Sequence, residues 1–464
     1  MRKGESTMKF GKREIGFIAG IVVALIVWFA PLPGIEGNAK LMLAFTLMTV
    51  VWWALQIAQN GYTAGVLLAL MCIFQLDEPA EIFYAWTGTT MWLVIGAYLI
   101  ANAVQTSGLG ERIAYSYMLR FVTGFKSIIV GIFALTAILS LLVPHPWPRA
   151  FLIMAVMAVI IKSSGISAGD AVKIGFAVFA ASVPCSLIFI TGDAVINPLA
   201  ASYAGGADFV TWFKVMGVPA IIMSVITLVL FLLLFRAEKD YAVDKEAIRV
   251  KLAEMGKMSV VEIKTIVWVV LAIVLWLTES IHGIDIGWVT FAVGMLMSMP
   301  IVGDLNAAKD WSAVPIHVLV FLTAAMAIGH VGADTGMNAW IASFMPTTVP
   351  DNMFLVAAII VALSFVIHML LGSVIAVMGV AVPAILAFAE PLGIDPMVAT
   401  MICYMAVAAH YLFPFQHLNT LVGASPDTGN YTQKETLRLG IVLIPFLFVI
   451  AWIMVGWFMI IGLA

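Results

Sequence analysis

Long apolar runs almost free of charged residues restrict the fold of this sequence more than any other feature. Each run approaches the roughly 20 residues that a helix needs to cross a bilayer. Apolar and polar residues do not alternate along them, which favours helices over barrel strands. The clearest runs are 15–29, 41–57, 215–235, 314–331 and 439–461. With 63% hydrophobic and 11% charged residues, the chain is predicted to be an all-α polytopic membrane protein.

The remaining composition excludes several classes of protein. A net charge of −3 does not predict nucleic-acid binding. Cys72, Cys185 and Cys403 lie in different apolar segments without the spacing of a disulfide framework or a metal site. Since the sequence also lacks an HExxH motif, we expect neither a metal enzyme nor a hydrolase, and no catalytic residues.

Proline and glycine interrupt the apolar runs in a recurring order. The hexapeptide Pro144–Arg149 separates two short arms, 127–142 and 150–161, which predicts a re-entrant helical hairpin. The next helix is predicted to break at 191–198. The other expected helices of the first half lie near 14–34, 40–59, 61–76, 82–118 (itself broken) and 215–235.

The same order follows a charged linker, 236–264, which is predicted to lie at the membrane surface as an amphipathic helix or as a plain solvated connector. The expected elements of the second half are spans at 265–279 and 285–302, a helix at 311–345, hairpin arms at 353–371 and 373–389, a broken helix at 396–422 and a span at 438–463. Local similarity supports a duplication, because Ser107-Gly-Leu109 resembles Thr335-Gly-Met337 at an offset of 228 residues.

Lysine and arginine in the loops predict the orientation. With the amino terminus in the cytoplasm, nearly all basic loops and the linker also fall on that side. The carboxyl terminus is then extracytoplasmic. An odd number of crossings in each half makes the two repeats inverted. We therefore expect a multi-pass protein of the cell (inner) membrane, in contact with membrane lipid.

Polar side chains at the interruptions are the candidate site residues, because burying such groups in a membrane is costly without a partner. Arg149 matches a carboxylate or oxyanion with two parallel hydrogen bonds, or else it snorkels to the interface. Asp193 is a candidate coupling residue or a helix cap. Asn197, Asn419 and Thr420 offer neutral donors for a substrate, although capping would also explain them.

Histidines recur in the same regions. His145 and His368 lie 223 residues apart, close to the offset of the repeat, and His417 follows Pro414 in the second broken helix. Imidazole titrates near neutral pH, so His145, His368 and His417 are predicted to take part in proton coupling. The alternative is a structural, hydrogen-bonded role for each.

This order of spans, hairpins and broken helices resembles the divalent-anion/sodium symporter family over nearly the whole chain. In that family each hairpin carries a Ser-Asn-Thr motif about ten residues before a proline. Here Ser373-Val-Ile375 precedes Pro383 by ten residues and keeps only the serine, which we include among the predicted substrate-binding residues. Trp147-Pro-Arg149-Ala150 stands in the matching first-half region. The family's Thr-Pro-Pro-Asn-like loops keep only their asparagines, Asn197 and Asn419.

The resemblance implies an elevator-type secondary transporter of a small anion, an organic carboxylate or an inorganic oxyanion, that packs as a homodimer. It also implies scaffold helices in 1–126 and 265–349, and hairpins with transport helices in 127–235 and 350–464. Because the Asn-Thr pairs are missing, we expect coupling to protons or exchange. Sodium-coupled dicarboxylate symport, as in the family, and an anion channel are the alternatives, and no cofactor beyond H⁺ or Na⁺ is expected.

Overall fold

The computed structural model describes residues 11–344, 352–371 and 374–463, and the regular structure within these ranges is entirely helical. In this part of the chain eight helices are long and apolar enough to cross a membrane singly. A further pair, Thr90–Thr106 and Leu109–Phe121, qualifies as one span bent by 61°. The predicted all-α polytopic fold is therefore confirmed.

The first half follows the predicted order of spans. Its helices are Lys12–Phe29, Gly37–Ala54, Asn60–Ile73, Pro79–Ile82, Thr90–Thr106, Leu109–Phe121, Phe125–Leu142, Pro146–Ser163, Ala168–Cys185, Ile196–Tyr203, Phe209–Trp212 and Val218–Leu234. A π-helical turn joins the last two into one span of 26 residues. This span begins earlier than the apolar run predicts, because the side chain of Asp208 caps its first turn.

Three residues separate the arms of the first hairpin, Phe125–Leu142 and Pro146–Ser163. The sequence predicted an interruption of six residues, with the second arm beginning at residue 150. The prolines do not prevent an earlier start, because the first N–H groups of a helix have no helical partner. His145 caps this start with its side chain. The second arm consequently carries Arg149 in its first turn.

The first broken helix is interrupted at residues 186–195, which we call the first break. It lies between the helices Ala168–Cys185 and Ile196–Tyr203 and contains the 3₁₀ turn Ile190–Asp193. The predicted interruption, 191–198, overlaps its second part. The break starts earlier because Pro184, in the last helical turn, has no N–H to donate.

The second half of the chain is helical as well. Its helices are Lys245–Glu254 in the linker, then Val260–Leu277, Glu279–His282, Ile286–Ser298, Ile316–Asp334, Met337–Ala342, Met353–Leu371, Val374–Ala389, Pro396–Ala408, Leu418–Gly423 and Gln433–Ile460. We call residues 409–417 the second break. The second hairpin consists of Met353–Leu371 and Val374–Ala389, and Ser373, a predicted site residue at its tip, lies outside the described residues.

The spacing of these elements corrects one expectation about the histidines. Leu142 and Leu371, which end the first arms of the two hairpins, are 229 residues apart. His145 follows the first of these arms, whereas His368 lies inside the second one. The offset of 223 between the two histidines therefore does not give them equivalent positions in the hairpins.

Helices from the two halves pack closely in the region predicted to be scaffold. Thr90–Thr106 lies against Ile286–Ser298, and a Cβ atom on Gly96 would stand only 2.4 Å from the carbonyl oxygen of Thr290. Gly294 faces Gly96 across the same contact. Small residues of this kind let two membrane helices approach backbone to backbone.

The linker is fixed to the bent helix of the first half. Arg112 pairs with Glu262 at 2.5 Å and also donates to the carbonyl oxygens of Met255 and Gly256. The linker helix Lys245–Glu254 packs on the same element and buries Ile248. The linker is therefore docked on this element and contains one helix, and its place at the membrane surface stays a prediction.

A cluster of acids lies beyond the end of the span Val260–Leu277. Glu279 follows this span, and burial raises its pKa to about 7, with the charges of Asp285 and Asp208 adding to the shift. Asp285 caps the next helix through the N–H of Gly287, at 2.6 Å. Asp285 and Asp208, which both cap helices, thus bring negative charge to the carboxyl group of Glu279, which is already partly desolvated.

Candidate functional site

Arg149 is fully buried where the first hairpin meets the first break. Its Nη1 donates to the carbonyl oxygens of Val143 and Gly192, both at 3.1 Å, and its Nη2 donates to Oγ of Ser186 at 2.5 Å. The snorkelling alternative does not fit a guanidinium with no exposed surface. In the described state three of the five guanidinium N–H groups donate to the protein, and direct substrate binding by Arg149 stays a prediction.

Asn197 holds the first break together. Its Nδ2 donates to the carbonyl oxygens of Ser186 and Phe189, both at 2.8 Å. Its Oδ1 accepts the hydroxyl of Tyr404, from the helix Pro396–Ala408 of the second half, at 2.5 Å. The two broken helices are thereby joined by a buried hydrogen bond. This role is structural, and a contact between Asn197 and substrate remains a prediction.

Asp193 lies at the end of the 3₁₀ turn in the first break and is 8% exposed. Its Oδ1 accepts the backbone N–H groups of Val195 and Ile196 at 3.0 and 3.2 Å. This is the capping geometry that the sequence offered as the alternative to coupling. The second carboxylate oxygen has no hydrogen bond to any described residue, so Asp193 keeps one oxygen for a proton or another donor.

His145 connects the first hairpin to the bent helix Thr90–Thr106. Its ring centroid lies 5.0 Å from that of Tyr98 and 5.5 Å from that of Trp147. Its Nδ1 accepts the N–H of Trp147 at 3.2 Å. Nδ1 is therefore unprotonated, and Nε2 carries the hydrogen of the neutral ring.

The second break is braced by its own side chains. Oε1 of Gln416 accepts the N–H groups of Leu412 and Phe413 at 2.5 and 2.8 Å. Thr420 is buried and shares its hydroxyl hydrogen between the carbonyl oxygens of Pro414 and His417. Thr420 is thus engaged in the described state, and its contact with substrate stays a prediction.

Asn419 differs from the other site residues. It is 8% exposed, and its amide has no hydrogen bond to any described residue. The sequence placed Asn197 and Asn419 as equivalents, yet only Asn197 is committed to its own break. A contact between Asn419 and substrate stays a prediction.

Three imidazoles lie together beside the second break. The ring of His368 is 6.4 Å from that of His410 and 5.9 Å from that of His417, measured between centroids. His410 and His417 each bond a backbone carbonyl through Nε2, of Gly440 and of His410 respectively. His368 is fully buried, and neither of its nitrogens has a partner among the described residues.

The sequence did not identify Tyr98, Ser186, Tyr404 or Gln416 as site residues. A tyrosine inside an apolar span is a usable signal, because its hydroxyl must find a partner. Ser186 and Gln416 gave no comparable signal, since the guanidinium of Arg149 and the N–H groups of the second break come within their reach only in the folded chain. Among the described residues, no group of three His, Cys, Asp or Glu side chains is placed to hold a metal ion.

Comparison with known proteins adds relatives that span the whole arrangement. Dicarboxylate transporter 1 of Arabidopsis thaliana chloroplasts is 25% identical over 96% of this chain and 83% of its own length. The sodium-dependent dicarboxylate transporter SdcS of Staphylococcus saprophyticus is 19% identical over 95% of this chain and 92% of its own length.

A solved structure, that of the Alcanivorax borkumensis YdaH transporter, has a similar fold with a TM-score of 0.53 and 14% identity. The similarity covers 92% of this chain and 98% of that one. The family model described as "Sodium:sulfate symporter transmembrane region" matches residues 12–464. The chain therefore belongs to this family of secondary transporters, the divalent-anion/sodium symporters that its sequence resembles.

Proposed function

We propose that this protein carries a small dicarboxylate across the cell membrane, driven by protons or by exchange with a second anion. The observation that supports it most is the hydrogen bond between Tyr404 and Asn197, which joins the two broken helices through a buried polar contact inside apolar helices. The relatives from chloroplasts and from Staphylococcus are named as dicarboxylate transporters.

Two features support coupling without sodium. The Asn-Thr pair that the family uses near its sodium sites is missing from both hairpin regions of this sequence. Titratable groups lie there instead: Asp193 with one uncommitted carboxylate oxygen, and the imidazoles of His145, His368 and His417. Sodium-coupled symport, which the name of the Staphylococcus relative states for that protein, is the competing mechanism.

The proposed movement is that of an elevator. Segments 127–235 and 350–464, with the hairpins and breaks, move the bound anion, while 1–126 and 265–349 form the scaffold through which two copies dimerise. The close packing around Gly96 supports a rigid scaffold, because helices that meet backbone to backbone cannot slide without separating. The two breaks supply the neutral donors, with Asn419 contacting the substrate directly.

Counterflow in proteoliposomes tests this function. Vesicles loaded with unlabelled succinate should take up labelled succinate faster than empty vesicles do, and the rate should saturate. Asn419→Ala should weaken this uptake by roughly tenfold, because it removes one hydrogen bond to a charged group, at about 1.5 kcal/mol. Unsaturable flux with voltage-dependent current would instead indicate a channel, and no flux of dicarboxylate, sulfate or other oxyanions would refute the proposal.

A further inference from the structure

The oxygen atoms around Arg149 are all neutral. Val143 and Gly192 contribute backbone carbonyls and Ser186 contributes its hydroxyl, which itself donates to the carbonyl oxygen of Ser182. No acidic side chain of the described residues lies within 4.0 Å of the guanidinium as an ion-pair partner. Arg149 is thus held as a cation in a cage of dipoles.

The positions of these oxygens are those of a cation site. Val143 follows directly on the carboxyl end of the first hairpin arm, where the helix dipole is negative. Gly192 lies in the 3₁₀ turn of the first break, where the backbone carbonyls are released from α-helical bonding. Unwound carbonyls and helix carboxyl ends are what membrane transporters use to bind monovalent cations.

The backbone of the break is tightly packed at Gly192. A Cβ atom on Gly192 would stand 2.5 Å from the carbonyl oxygen of Ser186. The break is therefore folded closely on itself at the residue whose carbonyl accepts from Arg149. Only Nε of the guanidinium lacks a partner among the described residues.

We propose that Arg149 fills a monovalent-cation site in the first half, so that the chain carries its own cation where a solute ion would otherwise bind. The tethered guanidinium supplies a constant positive charge beside the first break. This charge then compensates part of the negative charge of a transported dianion without an ion from solution. This consequence, although not the site itself, rests on the proposed transport function.

Vacating the cage should create a binding site for free guanidinium ion. In Arg149→Ala the carbonyls of Val143 and Gly192 remain while the charge is gone, so guanidinium at a low, non-denaturing concentration should raise the melting temperature by roughly 1–3 °C. Urea, which has nearly the same shape and no charge, should not. The unmodified protein should show no difference between the two compounds.

Arg120→Ala is the matched control, because Arg120 is exposed near the end of another helix; it should behave as the unmodified protein does. If Arg149→Ala cannot be recovered in folded form, a second measurement replaces the melting experiment. Arg149→Ala and Arg149→Ser are each solubilised in the presence of guanidinium or of urea, and the yield of folded protein is compared. Guanidinium should give the higher yield for both variants. Equal effects of the two compounds on both variants would overturn the proposal. Because binding is measured without transport, this result is independent of whether dicarboxylate moves.

Discussion

Replacing Asn197 should destabilise the protein far more than replacing its sequence counterpart Asn419. Asn197→Ala removes two donors and one acceptor from the buried first break. The carbonyl oxygen of Phe189 still receives the N–H of Gly192 at 2.7 Å, so its loss is small. The carbonyl oxygen of Ser186 loses the Asn197 amide that donates to it, and the hydroxyl of Tyr404 loses the Asn197 oxygen that accepts from it.

The expected cost follows from these partners. Two orphaned buried groups at about 1–3 kcal/mol each, and one lost bond at about 1 kcal/mol, give roughly 3–7 kcal/mol. At about 2 °C per kcal/mol, the melting temperature in detergent should fall by roughly 6–14 °C. Tyr404→Phe, which removes a single hydroxyl, should cost roughly 1–3 kcal/mol.

The control is Asn419→Ala, whose amide has no hydrogen bond to a described residue. It should melt within about 1 °C of the unmodified protein, because surface or unengaged positions contribute little to stability, while its affinity for the transported anion falls. Thermal unfolding followed by tryptophan fluorescence, with a ligand titration on each variant, separates the two. An Asn197→Ala protein that melts normally but no longer binds anion would refute the structural role.

Two further predictions concern the surface of the protein. A cysteine introduced at Glu246 should be protected from an impermeant reagent in intact cells, and one at Ala464 should be modified; the reverse pattern would contradict the inverted arrangement. The raised pKa of Glu279 means that the folded state holds this proton more tightly than the unfolded chain does. Its stabilising contribution is therefore complete below pH 4.5 and is lost as pH rises through about 7. The melting temperature should fall over that interval, and less so in Glu279→Gln.

The sequence predicted the helical elements well, because the bilayer imposes a length and a polarity that can be read residue by residue. The second hairpin shows this: its first arm, 353–371, has the predicted bounds. The errors in the predicted helix bounds lie near prolines, because a proline can end one helix and can also begin the next. Pro146 begins a helix instead of preventing one, since its missing N–H is not needed in a first turn.

The candidate site was less accessible to sequence reasoning. The sequence identified the polar residues at the breaks, but it did not show which of them form hydrogen bonds within the protein and which do not. Asn197 and Asn419 look equivalent in sequence, yet they differ in the structure because Tyr404 reaches only Asn197. Arg149 matched a substrate carboxylate by chemistry alone, whereas backbone carbonyls from two separate segments surround it. Contacts of this kind depend on tertiary packing and leave no spacing pattern in the chain.

Dicarboxylate uptake into proteoliposomes under imposed ion gradients tests the central claim most directly. Uptake is measured with an inward proton gradient, with an inward sodium gradient, and with internal dicarboxylate but no gradient. A proton-coupled carrier should accumulate dicarboxylate in the proton gradient, less so with Asp193→Asn, and an exchanger should show counterflow that needs neither ion. Accumulation that requires sodium and ignores the proton gradient would contradict it.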